Sequence, residues 1–111
     1  IITDAPTDNQ GKGEAFSPTD LLATSLGSCM LTIIGIKARD MEIDIAGTSA
    51  EVTKVMAADP RRVSEIYVAI TFNQQLDEKT QKIFYNTALT CPVAKSIHPD
   101  IMQKVTIHSK N

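Results

Sequence analysis

The 111-residue sequence predicts one domain of the α+β class. Three features carry that expectation. A helix-start signal at Ser17-Pro18-Thr19-Asp20 precedes a long apolar segment, residues 21–36. Two segments in the middle have strand chemistry, and in the second Ile66, Val68, Ile70 and Phe72 alternate on one face. A helical pattern, a Cys-Pro break and a last alternating segment complete the order α-β-β-α-α-β.

Each element has its own signal. Residues 5–16 read as a polar loop rich in turn formers. Ser17 is the expected N-cap, Pro18 suits the first helical position, and Asp20 stands where a capping-box acid belongs. The helix is expected to run to about Arg39, where Lys37 and Arg39 meet the negative end of its dipole. Leu22, Leu26, Cys29, Ile33 and Ile36 share one face, and Leu21, Met30, Leu31 and Ile34 make the other side apolar as well. Such a helix must be covered all round, and a chain this short has little with which to cover it. Residues 43–57 read as a strand with Gly47 as a bulge, residues 59–62 as a turn, and residues 63–72 as the second arm of an antiparallel hairpin. Residues 77–90 form an amphipathic helix, with Ile83, Phe84, Ala88 and Leu89 apolar. Cys91-Pro92 opens a shorter helix to about Ile97, His98-Pro99-Asp100 breaks it, and residues 101–108 form the last strand.

Composition excludes several classes. A net charge of −2 argues against nucleic acid or an anionic membrane as a partner held by bulk charge. With 42% apolar and 22% charged residues the chain is not disordered, and two Cys do not make a disulfide scaffold. Residues 21–36 carry Thr24, Ser25, Ser28 and Thr32 and fall short of the roughly 20 apolar residues of a membrane span. No signal-peptide pattern precedes them, which points to the reducing cytoplasm. The chain opens Ile1-Ile2-Thr3, as if inside a strand, so the single domain spanning residues 1–111 is expected to lack an N-terminal strand segment.

The two cysteines are the candidate chemistry. Cys29 lies mid-helix, with Gly27 and Ser28 leaving room beside it, and gains little from the helix dipole. Cys91 stands at a helix N-cap, where unpaired N–H groups favour a thiolate. Also open is a plain core role for both, because free Cys is among the most buried residue types. Cys91 and His98, seven residues apart across a Pro break, do not have zinc-ligand spacing, and no metal is expected. Gly11-Lys12-Gly13 lacks the context of a phosphate loop, and the four Met read as core filler.

Ser17-Pro18-Thr19-Asp20-Leu21-Leu22, Ser25-Leu26-Gly27-Ser28-Cys29-Met30 and Cys91-Pro92-Val93-Ala94-Lys95-Ser96-Ile97 together resemble the OsmC/Ohr family, bacterial thiol peroxidases of osmotic and organic-hydroperoxide response. The resemblance implies an antiparallel sheet wrapped over long central helices in an intertwined homodimer. It implies organic hydroperoxide reduction without a cofactor. Cys29 would be the attacking thiol, Cys91 the resolving one, and a dithiol such as a lipoyl protein the reductant. The family's Arg lies upstream of the residues matched here. Arg39 is expected to serve as a helix C-terminal charge, and Arg61 and Arg62 to hold a hairpin tip. The family's activating Glu falls at Thr19, so Asp20, one residue on, is the substitute acid or a plain helix cap. The alternative function is a non-peroxidatic protein binding a small apolar or electrophilic ligand near Cys29.

Overall fold

The computed structural model describes residues 1–110. After a short 3-10 turn at Thr7–Asn9, the elements are α1 (Pro18–Asp40), β1 (Ser49–Ala57), β2 (Arg62–Thr71), α2 (Glu78–Ala88), α3 (Pro92–Ser96) and β3 (Met102–His108). The α+β class and element order match the sequence reading. One feature of the expected sheet is corrected. It is mixed rather than antiparallel throughout, in the order β1-β2-β3, with β1 and β2 antiparallel and β2 and β3 parallel. The α2–α3 crossover returns the chain to the end of the sheet where β2 begins, so β3 runs alongside β2 in the same direction.

The first strand is six residues shorter at its start than expected, beginning at Ser49 instead of residue 43. Glu42 and Gly47 take positive φ angles of 57° and 82°, and the Asp44 carboxylate accepts the Ala46 N–H, so residues 41–48 are spent on turns. Gly47 therefore serves a turn, and the Asn73 side chain fills the space a Cβ would need. The bulge lies elsewhere. Val55 pairs with Glu65 and Met56 with Val63, leaving Ser64 as the extra residue. Its hydroxyl donates to the Val55 carbonyl at 3.0 Å. The shift in parity is why Val63 and Ile66 both point inward with Val68, Ile70 and Phe72.

β2 is the central strand, and its buried row lies under α1 and α2. Phe72 and Phe84 stack with ring centroids 5.4 Å apart, fixing α2 to the sheet. α1 begins with the expected capping box: Ser17 Oγ accepts from the Asp20 N–H at 3.1 Å, and Asp20 Oδ2 accepts from the Ser17 N–H at 3.0 Å. The face of α1 that packs inward is Ala23, Leu26, Gly27, Met30, Ile34 and Ala38. Of the expected face of Leu22, Leu26, Cys29, Ile33 and Ile36, Leu26 is fully buried, Leu22, Cys29 and Ile33 lie on one flank of the helix, and Ile36 is exposed. A helix apolar on both sides gives no sequence signal for which side wins.

Gly27 decides it. A Cβ there would lie 2.5 Å from Val52 Cγ2, so only glycine lets α1 sit this close to β1. Gly27 thus makes room for the sheet, not for a reactant beside Cys29. Because Val52 is β-branched and stiff, Gly27→Ala is expected to lower stability by about 1 kcal/mol, overpacking outweighing the better helix propensity of Ala. Denaturant unfolding measures this, and Val52→Ala in the same chain is expected to recover part of the loss.

Candidate active site

Cys29 and Cys91 reach one site from different elements. Cys29 lies at the midpoint of α1 and is partly exposed. Cys91 is the N-cap of α3 and is fully buried. Both thiols are free, and Cys29 lies beside Cys91 closely enough to perturb its titration. The fourth turn of α1 and the start of α3 are therefore brought together.

Electrostatics at the pair run against the sequence reading of Cys91. Its sulfur does sit at a helix N-terminus and accepts the Ala94 N–H at 3.1 Å. Burial nevertheless pushes the Cys91 thiol above its ordinary value of 9.0, outweighing the Ala94 and Val93 N–H groups, and the neighbouring Cys29 adds to the rise. Cys91 is thus held as a protonated, water-shielded thiol. Cys29 is the one a reactant can reach.

Thr19 and Asp20 are placed away from this pair. Both precede Cys29 on α1 by nine or ten residues, roughly 14 Å of axial rise. They gather around Lys54, a residue the sequence reading passed over. Lys54 Nζ lies 2.9 Å from Asp20 Oδ1 and donates to Thr19 Oγ1 at 2.6 Å and to Ser17 Oγ at 3.2 Å. Lys54 occupies the inward row of β1 with Val52 and Met56, and a lysine on an otherwise apolar row was the available signal. The Lys54 hydrogen bond comes first among the causes that lower the Asp20 carboxyl below its ordinary 3.8, followed by the Ser17 N–H. The acid expected to act on Cys29 touches a lysine and a helix cap, and no arginine.

Two of the three arginines are engaged elsewhere. Arg39 stands ten residues beyond Cys29 at the exposed end of α1. Arg61 meets Asp8 at 3.4 Å, tying the hairpin tip to the N-terminal loop, and Arg62 donates to the Val63 carbonyl at 2.9 Å. His98 accepts the Asp100 N–H at 3.0 Å, and His108 pairs with Thr106. Among the described residues no cluster of three His, Cys, Asp or Glu side chains is placed to hold a metal.

An apolar cavity of about 550 Å³ lies between α1, the hairpin tip and the segment after α3. Leu22, Val63, Ile101 and Pro60 form its walls, with Arg62 and His98 also lining it. Leu22 lies on the same flank of α1 as Cys29, two turns nearer the N-terminus.

Residues 11–106 match the family model described as OsmC-like protein. The chain belongs to the OsmC-like protein family. Its sequence is 91% identical to a crystal structure from Psychrobacter arcticus 273-4, provisionally described as an osmotic stress induced and detoxification response protein. That match covers 97% of this chain and 79% of the other, with a TM-score of 0.94. An organic hydroperoxide resistance protein OsmC from Legionella pneumophila shares the OsmC-like fold at 20% identity, over 97% of this chain and 80% of that one, with a TM-score of 0.76. A Vibrio cholerae protein, provisionally described as an organic hydroperoxide resistance protein and holding captopril in one of its active sites, matches at 18% identity. It covers 96% of this chain and 75% of its own, with a TM-score of 0.75. No curated sequence matches the chain significantly.

The lowered Asp20 carboxyl makes a pH prediction. A depressed folded-state value contributes stability that is fully present above the unfolded value of 3.8 and is lost as pH falls through the folded value. Asp20→Asn is therefore expected to flatten the acid limb of the stability curve below about pH 4. Because the Asp20 side chain is 38% exposed, the effect at neutral pH is a modest cap-sized loss. Urea unfolding across pH 2 to 7 on the variant and the wild type measures both.

Proposed function

We propose that this OsmC-like protein is a thiol-dependent peroxidase that reduces organic hydroperoxides through Cys29 and Cys91. The observation that carries the reading is the asymmetric pair: one reachable thiol beside one buried, protonated thiol, on separate elements. Cys29 sulfur attacks the peroxide oxygen, the O–O bond breaks, and an alcohol leaves with the proton. Cys29 becomes a sulfenic acid. The Cys91 sulfur then attacks the Cys29 sulfur, and water departs with the sulfenic oxygen and the Cys91 proton. A small dithiol or lipoyl-type reductant restores both thiols by exchange. Burial of Cys91 suits a resolving role, because a thiol that stays protonated does not compete for the peroxide. The Legionella and Vibrio neighbours, described as hydroperoxide resistance proteins, support the reading by likeness of fold. Thr19 and Asp20 set the start of α1 in this scheme and bear on Cys29 only through the helix. The scheme places the protein in the cytoplasm, where dithiol reductants are available.

We further propose that the functional unit is a homodimer. α1 is 23 residues long with a mean hydropathy of 1.6 over its most apolar window, yet only a third of that window is buried within the chain. Leu21 and Ile36 on its outer side are left for a second copy to cover. Sedimentation at micromolar concentration is expected to give a dimer, with more than about 2,000 Å² buried in total. A monomer there would remove the explanation for this face.

The decisive test of chemistry is turnover of a bulky organic hydroperoxide with dithiothreitol or dihydrolipoate. Cys29→Ser is expected to lose at least about 100-fold, because no second nucleophile is reachable. Cys91→Ser is expected to keep a single turnover, trapping a sulfenic acid on Cys29 that a dimedone label detects by mass. Wild type inactive with every dithiol, yet binding apolar or electrophilic ligands, would establish the alternative reading. The cavity beside Leu22 is the observation that favours that alternative.

A further inference from the structure

α3 has only five residues and would not persist by itself. Its N-terminal cap is the sulfur of Cys91, which accepts the Ala94 N–H at 3.1 Å, and the Lys95 N–H bonds the Cys91 carbonyl at 3.2 Å. Gln103 holds the Ala94 carbonyl from β3, and the last turn closes with Ile97 N–H on Val93. The chain then enters His98, Asp100 and Ile101, which line the apolar cavity opposite Leu22. Cys91 and His98 are seven residues apart, as are Cys29 and Leu22 on the flank of α1. One end of α3 thus rests at the thiol pair and the other at the cavity.

The same sulfur has two uses that compete. As a thiol it accepts a hydrogen bond and anchors the helix. Joined to Cys29, it gives up its proton, gains a covalent partner and is a poorer acceptor for Ala94. We infer that the cavity lined by Leu22, His98 and Ile101 is redox-gated: the Cys29–Cys91 disulfide weakens the sulfur cap of α3, and the loosened helix releases the cavity wall. The inference rests on the peroxidase reading and extends it. The two-electron oxidation comes from the hydroperoxide, which leaves as alcohol and water, and the dithiol that reduces the disulfide restores the cap. An apolar ligand is held while the protein is reduced and let go when it is oxidised.

Residue-resolved amide exchange tests this on the reduced protein, the diamide-oxidised protein, Cys91→Ser and Cys91→Ala. Serine is a strong N-cap that cannot form the disulfide, and alanine is no cap. Exchange at Ala94, Lys95 and Ile97 is expected to be about fivefold faster in the oxidised protein and in Cys91→Ala than in the reduced protein, with Cys91→Ser protected. The neutral dye N-phenyl-1-naphthylamine, read by fluorescence, is expected to bind the two uncapped forms more weakly by up to about the same factor. If diamide forms the disulfide and these amides and the dye are unchanged, the gating is overturned while the peroxidase reading stands. If no Cys29–Cys91 disulfide forms, the two-Cys reading falls and the gating with it. Protection in Cys91→Ala equal to that in Cys91→Ser would show that the sulfur is no anchor, and would also overturn the inference.

Discussion

The close approach of α1 to β1 at Gly27 and Val52 sets everything built on that helix. Once a position without a side chain faces the sheet, the rotation of α1 about its axis is fixed. At 100° per residue, Cys29 is turned some 200° from Gly27, onto the flank facing α3 and away from the sheet. A side chain at residue 27 would push the helix outward and carry Cys29 with it. The placement of the reachable thiol is thus a consequence of packing elsewhere, and no special geometry at Cys29 is needed to explain it.

At Cys91 two general effects meet with opposite signs. A helix N-terminus offers N–H groups that favour a thiolate, whereas a site without water favours the thiol. Here α3 is too short to offer more than a few donors, and Cys91 has no exposed surface, so burial prevails. The result sets two chemically identical side chains apart. Cys29 is partly exposed, and Cys91 stays buried and protonated beside it.

Much of this was legible in the sequence, and the failures have specific causes. Elements with a single signal were placed to within one or two residues at most of their ends: the capped start of α1, the alternating β2, the Cys-Pro start of α3. The start of β1 was misplaced because Ile43 and Ile45 satisfy a strand pattern while sitting between two positive-φ turns. The direction of β3 cannot be read from alternation, which is the same in parallel and antiparallel pairs. The inward side of α1 was left open because both sides are apolar, and the deciding residue is a glycine that hydrophobic periodicity does not count. The thiol pair was visible as two spaced motifs. Lys54 had only its place on an otherwise apolar row to mark it, and a lone lysine on a strand reads as a solvated charge until its three oxygen partners are seen.

Those three partners explain how α1 keeps its register over its whole length. Gly27 fixes its rotation, and the ammonium of Lys54 grips Ser17, Thr19 and Asp20 at the N-terminal end, so the helix is held to β1 at two points. A rod held at two points cannot slide, and motion at the site must come from what packs beside it. The shortest element there is α3, whose first turn is capped by the Cys91 sulfur and tied to β3 by Gln103, with Val93, Ala94 and Ile97 packed on the core. In the proposed scheme, oxidation of Cys91 would act on one of those restraints. The rigid helix carries the reachable sulfur, and the short helix carries the buried one, so a bond formed between them would be answered on the α3 side.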